Sequence, residues 1–134
     1  MKKLIFLMAF AFVGYCAAAQ VKPTLVTTTS YAKTLDTVVN AGAKVTTAFP
    51  IGAWKAGVTV QVIVTKISGT VGGSLGLYGS MDGTNFTLIG SAATPSDASA
   101  NYSFNTTVCW KYYQVKWTGT GTMSASFKTY VLPY

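Results

Sequence analysis

The side chains that could carry out acid–base chemistry are few in this sequence of 134 residues. Its only acids are Asp36, Asp82 and Asp97, and it contains no His, Glu or Arg. A catalytic triad needs a His base, and a glycosidase needs two carboxylates at a set separation. Asp82 belongs to a predicted turn and Asp97 to a predicted loop, so no two carboxylates form an evident catalytic pair. We therefore expect a non-catalytic protein rather than an enzyme.

The same scarcity argues against bound metals and cofactors. Zinc sites are built from clusters of His and Cys, and calcium sites use several oxygen ligands that usually come from an Asp-rich loop. The sequence has neither pattern, and its only cysteines are Cys16 and Cys109. Free cysteine is among the most buried residue types, so we expect Cys109 to be a small core residue between Val108 and Trp110. No metal or cofactor site is predicted.

The positive charge is spread along the chain. The net charge is +7, and all ten basic residues are Lys. Nucleic-acid-binding proteins cluster their cations and use Arg for bidentate contacts to phosphate and guanine. The scattered lysines favour a solubilising surface and argue against a nucleic-acid partner.

The N-terminal segment has the layout of a secretory signal peptide. Two lysines precede an uncharged, mostly apolar run from Leu4 to Ala19, which ends in small residues. The run is shorter than the roughly 20 residues that a membrane-spanning helix needs. We predict a signal peptide over residues 1–19, a mature chain that starts at Gln20, and a single domain over residues 20–134.

Two alternatives for this segment remain open. Cys16 follows a short apolar stretch, as does the acylated Cys of a bacterial lipoprotein signal. The segment could also be retained as an uncleaved N-terminal anchor. Membrane association is expected only in these two cases, and otherwise we expect a secreted or cell-surface protein with bacterial-type export, a virion surface included.

The pattern of residues 20–134 is typical of an all-β domain. Thr, Val and Tyr are abundant, and apolar and polar residues alternate with a period of two. The strongest strand prediction is Val58–Thr65, with four valines on one face. In Tyr113–Trp117 three large apolar side chains share a face that we expect to be buried. With the other predicted strands the sequence indicates a single antiparallel β-sandwich or jelly roll of about eight strands. Those other strands are Leu25–Tyr31, Lys44–Phe49, Leu75–Gly79, Phe86–Ile89, Tyr102–Thr106 and Met123–Lys128.

A structural turn is predicted at Asp82 and Gly83. The dipeptide lies between the apolar runs around Leu77 and Phe86–Ile89, where Asp-Gly is a strong hairpin signal because Gly tolerates positive φ. We expect this turn to set the register of the hairpin, with Phe86 and Leu88 on the core face.

Aromatic residues are the remaining candidates for ligand or protein contacts. The set comprises Trp54, Trp110, Tyr112 and Tyr78. Trp54 lies in a predicted loop between glycines, so it is the best candidate for an exposed ring. Trp117 and Tyr113 share a strand face with Val115 and are expected in the core, since aromatic residues dominate cores as well as interfaces.

Two segments resemble discoidin-like (galactose-binding-like) β-sandwich domains of small bacterial surface proteins and tailed-phage virion proteins. Leu77–Gly90 is similar to their strand, Ser-x-Asp-Gly, aromatic, strand hairpin. Tyr112–Thr122 is similar to their penultimate strand and the Gly-containing turn after it. The resemblance implies the sandwich fold, with function set by the loops.

Two functions from different classes follow. The first is a structural or assembly component of a cell envelope or virion, with copies of itself or a surface assembly as partner, because a Thr/Ser-rich sheet with few charges suits protein packing. The alternative is a carbohydrate-binding module that uses exposed aromatics, with a glycan as ligand. Glycan binding lost on substitution of Trp54 would favour the second, whereas concentration-dependent oligomers would favour the first.

Overall fold

The computed structural model describes residues 24–26, 36–52 and 55–134, which form strands and connecting loops. The predicted signal peptide with Cys16 lies outside these residues, as do Trp54 and the later part of the predicted strand Leu25–Tyr31. A helix that could cross a membrane is not found among the described residues. The strand segments are β1 (Thr24–Val26), β2 (Asp36–Val39), β3 (Ala43–Val45), β4 (Phe49–Pro50), β5 (Val58–Gly69), β6 (Ser74–Ser80), β7 (Thr87–Leu88), β8 (Ala100–Thr106), β9 (Tyr112–Thr118) and β10 (Met123–Pro133).

The first sheet, sheet A, is built around the two longest strands. β10 pairs antiparallel with β5 along its whole length, from Met123 opposite Gly69 to Pro133 opposite Val58. β8 pairs with the other side of β5 and forms one edge of the sheet. At the opposite edge β1 and β2 pair with the two halves of β10.

The second sheet, sheet B, has β9 and β6 at its centre, again antiparallel. β3 and β4 pair with the two halves of β9 on its free side. β7 pairs with β6 at the other edge, through Tyr78 opposite Leu88 and Gly79 opposite Thr87. The predicted all-β antiparallel sandwich is confirmed.

The core lies between the inner faces of the two sheets. On β5 the side chains of Val58, Val60, Val62 and Val64 are at most 1% exposed, while Ile63 on the other face is half-buried, as their alternation predicts. On β9 the inner face carries Tyr113, Val115 and Trp117, also at most 1% exposed. Burying one such side chain contributes about 1.5–3 kcal/mol. The sheets are joined by an edge-to-face contact of Trp117 with Phe127, with ring centroids 5.8 Å apart.

Several strand boundaries differ from the predictions. β5 and β10 run further than predicted, and β2 was not predicted at all. The predicted strand Lys44–Phe49 is divided into β3 and β4. Thr46, which lies between them, accepts a hydrogen bond from the Val115 N–H through its hydroxyl at 2.9 Å and donates its own N–H to the Val115 carbonyl at 2.9 Å.

The predicted hairpin between β6 and β7 is present, but its connection is longer than a two-residue turn. It spans residues 81–86, and Gly83 within it has a φ of 78°. The expectation that Leu88 lies on the core face is wrong, because its side chain is 37% exposed. Leu88 packs instead on the outer face of sheet B, where Gly76 leaves room for it: a Cβ at Gly76 would stand 2.7 Å from Leu88 Cδ1.

Candidate functional site

Among the described strands, β8 forms an edge of sheet A with one side left without a pairing strand. β8 runs for seven residues, Ala100–Thr106, and pairs with β5 along all of them without a register shift. Among the described residues no strand pairs with its other side. An edge strand presents a row of unpaired N–H and C=O groups that can template pairing with another chain. The β8 edge is therefore a candidate contact surface.

The other sheet edges carry features that discourage strand addition. Natural proteins blunt edges with short strands, Lys or Pro, and inward-pointing charges. β3 contains Lys44, β4 contains Pro50, and β2 contains Asp36, a charged residue on the inner side that is only 7% exposed. β1 and β7 are three and two residues long. β8 has none of these features, since its sequence ANYSFNT contains no charge and no proline.

The two faces of β8 differ in chemistry. Its inner side chains Tyr102 and Phe104 are half-buried against the core valines of β5. Its outer side chains Asn101, Ser103 and Asn105 are exposed and uncharged. Lys66 of β5 lies beside the start of β8. Its backbone N–H donates to the Ser99 hydroxyl at 3.0 Å, and its ammonium pairs with Asp97 at 2.7 Å.

A second candidate site is a cleft of about 250 Å³. It lies where the loop between β8 and β9 approaches the segment between β4 and β5 and the start of the β6–β7 connection. This volume is below the roughly 300–1,000 Å³ that is usual for small-molecule pockets. The described residues that line the cleft are Ile51, Gly52, Lys55, Gly57, Met81, Cys109, Trp110, Lys111 and Tyr113.

One wall of the cleft is held by the phenol of Tyr113. Its hydroxyl donates to the Val108 carbonyl at 2.7 Å and accepts from the Trp110 backbone N–H at 2.9 Å. These bonds fix the loop from Val108 to Trp110 on top of the core. Burial raises the pKa of Tyr113, so the phenol stays protonated and can donate.

The indole of Trp110 lies against the backbone of β6. A Cβ at Gly79 would stand 2.5 Å from Trp110 Cγ, so only a glycine allows the ring to lie there. Trp110 Nε1 is buried and has no hydrogen-bond partner among the described residues. A buried donor without an acceptor costs about 1–3 kcal/mol. The packing of the Trp110 ring against β6 therefore offsets the free-energy cost of burying Nε1 without an acceptor.

The aromatic candidates are not brought together in one site. Trp110 lines the cleft, while Tyr112 and Tyr78 are half-buried on the outer face of sheet B. The Lys111 ammonium lies 5.3 Å from the Tyr112 ring centroid, within cation–π range. Trp54 lies outside the described residues. Gly52 and Lys55, which are close to it in the sequence, line the cleft.

The expectation that Cys109 is a buried core residue is wrong. Its thiol is free and exposed, because the run from Val108 to Trp110 is a loop rather than part of a strand. The sulfur lies 3.4 Å from the Lys55 carbonyl oxygen and 3.7 Å from that of Thr107, so the thiol bridges the two segments that line the cleft. Its observed role in the cleft is that of a weak donor to the backbone.

Asp82 and Gly83 lie in the β6–β7 connection, where the Asp82 carboxylate organises the loop. It accepts hydrogen bonds from the Ser80 hydroxyl at 2.7 Å and from the backbone N–H groups of Thr84 and Asn85 at 2.8 Å. These bonds, with the largest effect from the Asn85 N–H, hold the pKa of Asp82 far below its usual range. The carboxylate is therefore ionised, and it is engaged in hydrogen bonds within the loop.

Asp97 is occupied in a similar way. It accepts from the Lys66 ammonium at 2.7 Å and from the Val71 N–H at 2.6 Å, and the bond from Lys66 is the main cause of its lowered pKa. Within the described ranges no three His, Cys, Asp or Glu side chains are grouped so that they could hold a metal ion.

The β8 edge was missed by the sequence analysis, which predicted the strand Tyr102–Thr106 but could not place it in a sheet. A signal was present in the seven uncharged residues between Ala100 and Thr106, which lack the Lys or Pro typical of an edge. The lack of charge and proline indicates a contact edge only when the strand order shows that β8 lies at the edge of its sheet.

No protein-family model matches the sequence, and no curated protein matches it. Among solved structures the PBSX exported protein XepA is similar, with a TM-score of 0.57 and 15% identity over 75% of this chain and 34% of XepA. The chain thus spans about a third of the length of XepA. Two carbohydrate-binding modules have a TM-score of 0.46, each over 82% of this chain and 98% of the module. They are the C-terminal CBM6 of LamC from Zobellia galactanivorans, at 13% identity, and a family 35 module from Clostridium thermocellum, at 8% identity.

These identities are low, so the likeness to XepA shows the fold alone. The expected resemblance to small β-sandwich domains is confirmed at the level of the fold.

Proposed function

We propose that this protein is a non-catalytic, exported β-sandwich that acts through surface contacts, as a structural or assembly component of a cell envelope or virion. The observation that carries the proposal is the outer edge of β8, with which no described strand pairs, and which is seven residues long, uncharged and free of proline. Such an edge is an aggregation hazard in a protein that works alone. In an assembly component the same edge is a binding surface, and its backbone groups supply the affinity.

The surroundings of the edge support protein contact. The exposed residues on the outer face of β8 and the neighbouring β5 residues Thr59, Gln61 and Ile63 are all uncharged. Charged residues are depleted at the centres of protein interfaces, because burying a charge costs free energy unless it is paired. The two strands therefore present an uncharged contact surface on a chain that is otherwise basic.

The experiment is sedimentation velocity on the purified full chain over a hundredfold range of concentration. We expect the weight-average sedimentation coefficient to rise with concentration and to reach a defined assembly. A parallel experiment with a chelator tests whether assembly requires a divalent metal. We expect the chelator to leave the distribution of sedimenting species unchanged. A single species with the mass of one chain at every concentration contradicts the proposal.

Carbohydrate binding is the second candidate, and the cleft is the observation that favours it. Trp110 and Tyr113 give the cleft aromatic walls, and Lys55 and Lys111 add donors at its rim. Aromatic rings with a few polar groups are the usual composition of a small-ligand site. We expect saturable binding to a soluble glycan in a calorimetric titration. Trp110→Ala and Trp54→Ala should abolish it, while the control Tyr130→Phe, on the outer face of sheet A, should bind like the parent.

A further inference from the structure

We infer that β8 pairs with β8 of a second copy of this chain, antiparallel and about a two-fold axis, so that sheet A continues from one chain into the next. The inference rests on the proposed function and specifies its partner. It follows from the strand order, in which β8 ends sheet A with no described strand beyond it, and from the sequence of β8 itself.

A second copy fits because identical strands are self-complementary when they run antiparallel. A two-fold axis brings the same surface patch of each chain together. With the axis at Ser103, the midpoint of β8, all seven residues of each strand are paired. Ser103 then lies opposite Ser103 of the partner subunit, and Ala100 lies opposite the partner's Thr106.

This register also keeps the faces of the sheet aligned. Side chains alternate between the two faces of a strand, so a slip by one residue would bring outer residues against inner ones. With Ser103 on the axis, Tyr102 lies opposite the partner's Phe104, both on the inner side. Asn101 lies opposite the partner's Asn105 on the outer side. Aromatic pairs of this kind are among the cross-strand pairs that stabilise sheets.

The contact would cover the aromatic surface that one chain leaves open. Tyr102 and Phe104 pack against the core but are only half-buried, because β8 is the last of the described strands in its sheet. A second copy at the edge supplies neighbours for both rings and acceptors for the free backbone groups.

The absence of charge favours the β8 edge over the other edges as the site of self-association. A net charge of +7 opposes self-association wherever lysines would be brought together. β8 carries no charge, and Lys66 of β5, which lies beside the start of β8, is paired with Asp97 at 2.7 Å. Pairing β3 with a copy of itself would bring two Lys44 side chains to one interface, whereas pairing β8 brings none.

The first test is site-specific cross-linking in the full chain with Cys16 and Cys109 replaced by Ser. Ser103→Cys in this background, with oxidised glutathione as the oxidant, should give a disulfide-linked dimer, because the two positions face each other across the axis. The matched control is Gln61→Cys, on the same face and directly opposite Ser103 in the next strand. Two such residues would be about 14 Å apart across three strand spacings, beyond the roughly 7 Å between Cα atoms that a disulfide spans.

The second test places a charge on the axis. Ser103→Lys should weaken dimerisation at least tenfold in sedimentation velocity, because like charges directly opposite each other destabilise strand pairing. Ser103→Thr should dimerise like the parent. Ser103 is exposed in one chain, so an unchanged circular dichroism spectrum is expected for both variants.

The outcomes separate the inference from the proposed function. Assembly without cross-linking at residue 103 and without an effect of Ser103→Lys leaves the proposed function standing and overturns the β8 pairing. A full chain that stays monomeric at every concentration overturns both. A monomer that pairs only with a different protein through this edge also overturns the inference, since the partner is then not a second copy.

Discussion

The ring of Tyr112 lies over Gly83: a Cβ at Gly83 would stand 3.3 Å from Tyr112 Cε2. The contact joins the first residue of β9 to the connection between β6 and β7. Gly83 also has a φ of 78°, a region that L side chains rarely adopt. Two constraints thus meet at one residue, one from the backbone and one from the packing of the ring.

Gly83→Val should destabilise the protein by about 1 to 3 kcal/mol from backbone strain alone. Displacement of Tyr112 adds to that cost. The matched control is Gly90→Val, because Gly90 has a φ of 69° but no atom of the described residues within 4 Å of its Cβ position. Thermal unfolding should rank the parent above Gly90→Val and Gly90→Val above Gly83→Val. If Gly83→Val melts within half a degree of the parent, the residue has no structural role in the loop.

Thr129→Val should stabilise the protein by about 1 kcal/mol, because Thr129 Oγ1 is buried without a hydrogen-bond partner among the described residues and Val fills the same space. Thr46→Val is the control. The Thr46 hydroxyl accepts from the Val115 N–H at 2.9 Å, so its removal leaves a buried donor unsatisfied and should destabilise by about 1 to 3 kcal/mol. Urea denaturation measures both. Equal losses in the two variants would mean that the Thr129 hydroxyl has an acceptor.

The pH dependence of stability should depend on Asp82. Its folded pKa lies below the unfolded value of about 3.9, so its contribution is present above that pH and is lost as the pH falls towards the folded pKa. In Asp82→Asn the free energy of unfolding should therefore change less between about pH 4 and pH 2 than in the parent. Parallel curves for the two proteins in that window would show that Asp82 has an ordinary pKa.

Gly79→Ala should destabilise the protein by about 1 to 3 kcal/mol through overpacking, since its Cβ would stand 2.5 Å from Trp110 Cγ. In the double variant Gly79→Ala/Trp110→Ala the clash is gone. The effects of the two substitutions should then be strongly non-additive in a double-mutant cycle. Gly52 also lines the cleft but has no described atom within 4 Å of its Cβ position, so Gly52→Ala should match the parent. Additive effects would place the Trp110 ring away from Gly79.

The exported protein should begin at Gln20, because small residues over 17–19 precede it. Intact mass spectrometry of the secreted material measures this directly. The mass of the full precursor would indicate retention of the segment, and a diacylated Cys16 would indicate a lipoprotein. Either result contradicts cleavage after Ala19.

The core could be predicted from the sequence because it depends on local periodicity. Four valines at even positions in β5, and Tyr113, Val115 and Trp117 in β9, place their side chains on one face whatever the strand order is. β2 escaped prediction because it is four residues long, and only Val38 of its apolar residues is fully buried.

The candidate sites depend on loop packing and on strand order, which cannot be read from a single sequence. The exposure of Cys109 follows from the loop that Tyr113 holds above the core. Whether β8 is central or at an edge depends on the order in which strands far apart in the sequence are paired.

The central position of β10 in sheet A has a kinetic consequence. Thr24 lies opposite Val131, more than a hundred residues later in the chain, and β2 and β5 also pair with this last strand. Sheets dominated by such distant pairings fold slowly, because the loop-closure entropy is lost before the contacts form. Sheet A cannot close before β10, which pairs with three of its strands, has been synthesised.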